Sequence, residues 1–431
     1  MSFFDYRDGI LHAEGVALPA IADAVGTPVH VYSAGALRHA ADAFTSALRD
    51  LPAARFAFAV KANPNSAVLR LLAGCGYGAD IVSGGELRRA LNAGIAPTKV
   101  VFSGVGKTDR ELIDALEAGI GQFNLELEEE GKVLAQLARG RRMQAPAVLR
   151  VNPDVDGGTH AKITTGKRTS KFGVDIVGAP DMYGRLAQLD GLDLQGIALH
   201  IGSQISDLEP LEAAYRRIGA LIFELRARGH TITRVDLGGG LGIAYRPEDK
   251  MPSLTDYAAM VSRVTRDWNV SLTFEPGRII TGSAGVLLTR VIWVKPGATH
   301  PFVIVDAAMN DLARPALYDA YHRFSAVRPD GRTMVANIAG PVCETGDMFG
   351  IDRPIDHVGR GDLAVFHATG AYGAAMASSY NSRPVSPQVM VDGDTFELVG
   401  DRHAPCDMSA GSEREPWTVC RAPNVPLTQA A

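Results

Sequence analysis

The feature that most constrains the fold is a repeated alternation between about residues 55 and 280. Short β-rich runs each give way to an amphipathic stretch with helical period. Eight such runs can be read: Arg55–Val60, Ala79–Ser83, Lys99–Phe102, Gln122–Leu127, Ala147–Val151, Gly196–His200, Arg234–Leu237 and Ser271–Phe274. Helical stretches lie between them at Ser66–Ala73, Glu86–Ala93, Asp109–Ala118, Glu129–Ala138, Pro180–Leu189, Leu208–Arg228 and Leu254–Trp268. Strands that alternate with helices lie parallel, because parallel strands need crossover connections. Eight units predict a closed (β/α)8 TIM-like barrel. An open doubly wound sheet is the alternative that counting leaves standing.

Beyond about residue 280 the helical period fades. Strand-like runs follow at Val286–Val294, Pro301–Val305, Thr333–Ile338, Asp362–His367, Gln388–Val391 and Thr395–Val399, punctuated by Gly and Pro. This predicts a second, mainly β C-terminal domain over residues 281–431. Residues 1–32 contain one β-like run, Pro28–Tyr32, and are expected to pack with that domain, which leaves 33–280 for the barrel. A chain of 431 residues suits one large domain and a smaller one.

Composition narrows the function. Apolar residues are 46% and charged residues 21%, the balance of a soluble globular protein. A net charge of −5 and a pI near 6.1 argue against nucleic acid or an anionic membrane as partner. No apolar run reaches the ~18 residues of a membrane span. The first residues lack a signal-peptide pattern. The four cysteines, Cys75, Cys343, Cys406 and Cys420, form no C-x-x-C pair and are too sparse for a disulfide framework. A reducing, cytoplasmic setting and no metal are expected.

Unusual polar residues fall at the strand ends. Lys61 follows the first strand, His200 ends the sixth, Gly238-Gly239-Gly240 follows the seventh, and Glu275-Pro276-Gly277-Arg278 follows the eighth. In a (β/α)8 barrel these points share the C-terminal rim, where active sites form. Each has an ordinary structural reading alone: a solvated lysine, a glycine turn, a hydrogen-bonding histidine, a turn flanked by charges. Their joint occurrence fits pyridoxal 5'-phosphate (PLP) chemistry. A lysine amine forms the Schiff base with the PLP aldehyde. Glycine backbone and the Ser203 hydroxyl can approach the phosphate. Glu275 can pair with the pyridine nitrogen, and His200 can stack on the ring.

The motifs resemble the alanine-racemase-fold group of PLP enzymes, and within it the meso-diaminopimelate decarboxylases, over about residues 5–420. They are Phe58-Ala59-Val60-Lys61-Ala62-Asn63, Asp80-Ile81-Val82-Ser83-Gly84-Gly85-Glu86, His200-Ile201-Gly202-Ser203-Gln204 and Glu275-Pro276-Gly277-Arg278. Gly340–Asp347, Gly370-Ala371-Tyr372-Gly373 and Ala377–Pro384 complete the set, and His160–Gly173 is similar to the family's active-site loop. The resemblance implies that Lys61 carries the cofactor, with His200, Ser203, Gly239, Gly240, Glu275, Gly277, Arg278 and Tyr372 around it. It implies that Arg278, Arg314, Tyr318, Glu344 and Tyr372 bind the substrate and that Cys343 donates a proton. It further implies a homodimer with shared sites, in which Cys343 and Glu344 reach the partner's cofactor. The remaining cysteines are read as structural.

The expected reaction is decarboxylation of meso-2,6-diaminopimelate to L-lysine and CO2, the last step of lysine biosynthesis. Arginines beside an acid favour a substrate with a distal carboxylate as well as a distal ammonium. Alternatives are a decarboxylase of ornithine, arginine or lysine, or a non-enzymatic PLP-binding homologue. An amino-acid racemase fits less well, because an arginine at the pyridine nitrogen would suit it better than Glu275.

Overall fold

The computed structural model describes residues 3–403 apart from 52, 159, 161–164 and 167–169. Cys406, Cys420, the C-terminal residues and the middle of the His160–Gly173 loop therefore lie outside the described residues.

Eight parallel strands close into a barrel. They are Arg55–Ala59, Gly78–Ile81, Val100–Phe102, Gln122–Leu125, Ala145–Asn152, Leu192–Ala198, Arg234–Asp236 and Ser271–Phe274. The ring shuts where Thr273 and Phe274 of the last strand pair with Arg55 and Phe56 of the first. The open doubly wound sheet is thus excluded. Alternation along each strand sends Phe58, Phe102, Phe123 and Phe274 outward into the strand–helix layer, where they are wholly buried.

Seven helices, Ser66–Gly74, Gly84–Asn92, Asp109–Ala118, Glu128–Gly140, Ala179–Leu186, Glu209–Ala227 and Leu254–Thr265, cover the strands in the order the periodicity predicts. An eighth, Ala34–Ala47, precedes the first strand and packs against the helices Ser66–Gly74 and Leu254–Thr265. It completes the outer ring and was not expected from the periodicity. The third crossover helix begins with a capping box, in which Thr108 and Glu111 satisfy each other's backbone N–H groups.

The second sheet runs, strand by strand, Met348–Asp356, Thr333–Ala339, Phe302–Val305, Gly285–Lys295, Val29–Ser33, Gln388–Asp392 and Thr395–Gly400. Leu363–Phe366 joins it on Gly285–Lys295 and carries Phe324–Ala326. Met348–Asp356 was absent from the expected strands because Gly350 and Pro354 interrupt its pattern. It sits at the edge of the sheet, the position where proline is tolerated. Val29–Ser33 lies between Gly285–Lys295 and Gln388–Asp392, so the N-terminal segment is a central strand of this sheet. Phe4–Arg7, Ile10–Ala13 and Val16–Ala17 form a further small antiparallel sheet, unanticipated because each is short.

Closure rests on an aromatic cluster. Phe274 stacks on Phe56 at 5.8 Å and meets Phe44 and Tyr257 edge-on at 6.3 Å each. Phe274→Ala is expected to cost about 3–5 kcal/mol and to lower the urea midpoint of the barrel, monitored by circular dichroism.

Candidate active site

The C-terminal ends of the strands enclose a cavity of about 510 Å3. Lys61, His200, Ser203, Glu275, Arg278, Arg314, Tyr318 and Tyr372 all line it. Arg314 and Tyr318 come from a one-turn helix, Arg314–Tyr318, and Tyr372 from the Gly370–Gly373 turn, both in the β domain. The turn is tied to the barrel where the Tyr372 amide donates to Ala62 C=O at 2.8 Å.

The floor of the cavity is acidic. Lys61 Nζ donates to Asp80 Oδ2 at 2.5 Å, and Asp80 is wholly buried, its Oδ1 without a partner among the described residues. Asn124 Nδ2 donates to Ser103 Oγ at 3.0 Å and reaches Glu275 Oε1 at 3.4 Å. Asp236 accepts from the Gly238 amide and from Gln122 Nε2, each at 2.9 Å. Burial, reinforced by Asp236 and Asp80, raises the pKa of Glu275 well above the carboxylate range. Burial likewise pushes Asp236 up to about 6. Burial opposes charge on Lys61, but Asp80 and Glu275 outweigh it and raise its pKa. His200 is held neutral by burial, with Arg150 and Lys61 adding to the effect. Its Nδ1 accepts from the Gly239 amide at 3.3 Å, which leaves the ring proton on Nε2.

The wall opposite carries two guanidinium groups around one phenol. Arg278 Nη1 donates to Tyr245 Oη at 2.5 Å and Nη2 to Ser203 Oγ at 3.1 Å. Arg314 lies over the Tyr245 ring at 4.5 Å and its Nη1 meets His322 Nε2 at 2.8 Å. His322 Nδ1 donates to His367 C=O at 2.8 Å, so Nε2 is the free acceptor. Burial and then Arg314 push His322 down to about 3.

The glycine run is not in the main lining. Gly239, Gly240 and Gly277 form a small niche beside it. Gly240 has φ +112°, and a Cβ there would stand 2.5 Å from Gly202 C=O. At Gly239 it would stand 2.1 Å from Glu275 C=O. Cys343 and Glu344 sit on an exposed turn and do not line the cavity of their own chain.

Several residues at the site went unnoticed in the sequence. Arg150 is buried and pairs with Glu126 at 2.8 Å; Glu126 Oε2 also accepts from the Gly173 amide at 2.6 Å. Arg150 lies over the Phe172 ring at 4.9 Å, which seats the end of the His160–Gly173 loop. Counting by twos along Ala147–Val151 would have placed Arg150 inside the barrel. Asp80 lay within a quoted motif. Tyr245 carries no local signal.

These groups fit PLP. Burial and the neighbouring acids disfavour charge on Glu275, and a ring nitrogen that carries a positive charge would relieve that cost. The glycine niche admits a close backbone approach, and the buried Arg278 Nε has no partner among the described residues. The fold and site define a PLP-dependent decarboxylase. Residues 37–282 match the family model described as the pyridoxal binding domain of pyridoxal-dependent decarboxylases. The diaminopimelate decarboxylase of Zymomonas mobilis is 50% identical over 96% of this chain and 99% of its own length. The crystal structure of diaminopimelate decarboxylase from Helicobacter pylori complexed with L-lysine superposes with a TM-score of 0.88 at 35% identity, covering 91% of this chain and 98% of that one. The enzyme from M. jannaschii, in co-complex with L-lysine, gives 0.92 at 34% identity, covering 96% and 98%. The chain belongs to the diaminopimelate decarboxylase family.

Gly239→Ala would drive a methyl group into the Glu275 carbonyl. Relieving that contact moves backbone beside both His200 and Glu275, at a cost of roughly 1–3 kcal/mol. PLP affinity is expected to fall about tenfold or more, as read from cofactor absorbance during titration of the apoenzyme.

Proposed function

We propose that this chain decarboxylates meso-2,6-diaminopimelate to L-lysine and CO2, the last step of lysine biosynthesis. The observation that carries the reading is the meeting of Lys61, His200 and Glu275 with Arg278 and Arg314 in one cavity. The L-lysine bound in the two solved relatives supports the choice of substrate class.

Lys61 would hold the cofactor as its Schiff-base amine, with Glu275 as the acid for its ring nitrogen and the neutral His200 against its ring. Ser203, Gly239, Gly240, Gly277 and Tyr372 would hold its phosphate, with Arg278 beside them. Arg278, Arg314 and Tyr318 take the distal carboxylate of the substrate, with Tyr372 alongside, and Glu344 takes the distal ammonium. When bound, PLP supplies the electron sink that makes loss of the α-carboxylate possible. The bond between the α-carbon and its carboxylate breaks, CO2 leaves, and the electron pair stays at the α-carbon. Cys343 then gives its thiol proton to that carbon, and solvent reprotonates the thiolate.

The exposed turn carrying Cys343 and Glu344 lies off its own cavity, which favours a homodimer whose two sites exchange these residues. On this reading residues 33–280 hold the cofactor, 281–431 supply the substrate contacts, and 1–32 belong with the β domain. Among the described residues no helix is long and apolar enough to cross a membrane. With the sparse cysteines, this supports a cytoplasmic enzyme.

Lys61→Ala is expected to abolish both turnover and the near-visible absorbance of the bound cofactor. Full CO2 release by that variant would refute the scheme. Cys343→Ala should retain PLP while kcat falls by about 10²–10⁴. Mixed and reassociated, the two inactive variants should recover about a quarter of wild-type activity, since half the dimers then hold one intact site. No recovery from dimers shown to have exchanged would rule out the shared site.

A further inference from the structure

The barrel has a second cavity, at the opposite end from the active site. It is about 560 Å3 and opens where the strands begin, at Arg55, Lys99, Gly121, Pro146 and Arg234. Barrels of this kind usually fill their interior with layers of bulky branched side chains. Here Ala57, Gly76 and Gly121 leave the space open, and Val101, Ile120 and Pro146 give it apolar walls.

The charges at its mouth have one sign. Arg55, Lys99 and Arg234 line it, and among the described residues no Asp or Glu does. Lys99 Nζ donates to Gly76 C=O at 2.9 Å and Arg234 Nη1 to Gly121 C=O at 2.8 Å. These bonds fix both cations at the rim and leave further N–H groups free to donate. Among the described residues the Arg55 side chain has no hydrogen-bond or ion-pair partner. Burial, and then the nearness of Arg55, make the charge on Arg234 costly, with Asp193 as the opposing acid. Two guanidinium groups brought this close are stabilised when an anion lies between them.

The inner wall belongs to the polar network already described. Gln122 lines the cavity, and its Nε2 donates to Asp236 Oδ2 and, at 2.8 Å, to Asn124 Oδ1. Asn124 in turn reaches Glu275. Gln122 lines the lower cavity and Asn124 the upper one, so their hydrogen bond joins the two.

We infer that the lower cavity is a second binding site, for a small carboxylate with an apolar body. Arg55, Arg234 and Lys99 hold the carboxylate, and the apolar walls hold the body. The guanidinium fork matches a carboxylate in geometry as well as charge. The site is independent of the assigned reaction.

The test is calorimetric titration of the holoenzyme with benzoate, in the presence of saturating L-lysine to keep the probe from the upper cavity. Saturable binding of one benzoate per chain is expected, weakened roughly tenfold or more in Arg55→Gln or in Arg234→Gln. L-lysine affinity, measured in parallel, should stay at the wild-type value. Should Arg234→Gln fail to fold, the exposed Arg55→Gln decides alone. Absence of saturable binding, or unchanged affinity in every folded variant, would overturn the proposal.

Discussion

The site depends on one strand pairing. Phe274 of the last barrel strand lies beside Phe56 of the first, although more than two hundred residues separate them. That contact sets Glu275, the next residue after the last strand, against Lys61, just past the first. The Ala59 amide donates to Pro276 C=O at 3.0 Å, which extends the seam into the catalytic rim. The aromatic cluster outside the seam makes closure favourable through buried area, and the parallel register inside it converts closure into chemistry.

What closure assembles is electrostatically uncomfortable. Asp80, Asp236 and Glu275 share the barrel interior with Lys61 and Arg150. Carboxylates out of water and near one another resist ionisation, so Glu275 and Asp236 keep their protons to higher pH than free acids do. A cationic ring nitrogen reverses this preference at Glu275, and the cost of burying the acids becomes binding energy for the cofactor. The arginine pair around Tyr245 follows the same logic with opposite sign, and favours negative charge on that wall of the cavity.

Much of this was legible in the sequence, for identifiable reasons. The barrel was readable because its strands and helices have different periods and all follow one βα rhythm. Lys61, His200 and Glu275 stood out only together, because each alone has an ordinary structural reading and their joint occurrence at strand ends does not. The residues that were overlooked depend on tertiary placement. Arg150 sits within a strand and is distinguished only by the face it presents. Tyr245 is one tyrosine in a loop until two arginines from distant segments close on it. Ala34–Ala47 became a ring helix only once the gap between the helices Ser66–Gly74 and Leu254–Thr265 existed. The lower cavity is written in small residues, which give no signal until a barrel surrounds them.

The position of Val29–Ser33 has a consequence for how the molecule is made. Its neighbours in the sheet, Gly285–Lys295 and Gln388–Asp392, leave the ribosome after the entire barrel. During synthesis the segment therefore waits, with both backbone edges unpaired, until more than two hundred further residues have been added. The barrel is in effect a loop inserted between two adjacent strands of another domain. Its folding shortens the distance those strands must search, so the order of translation favours barrel first and sheet last.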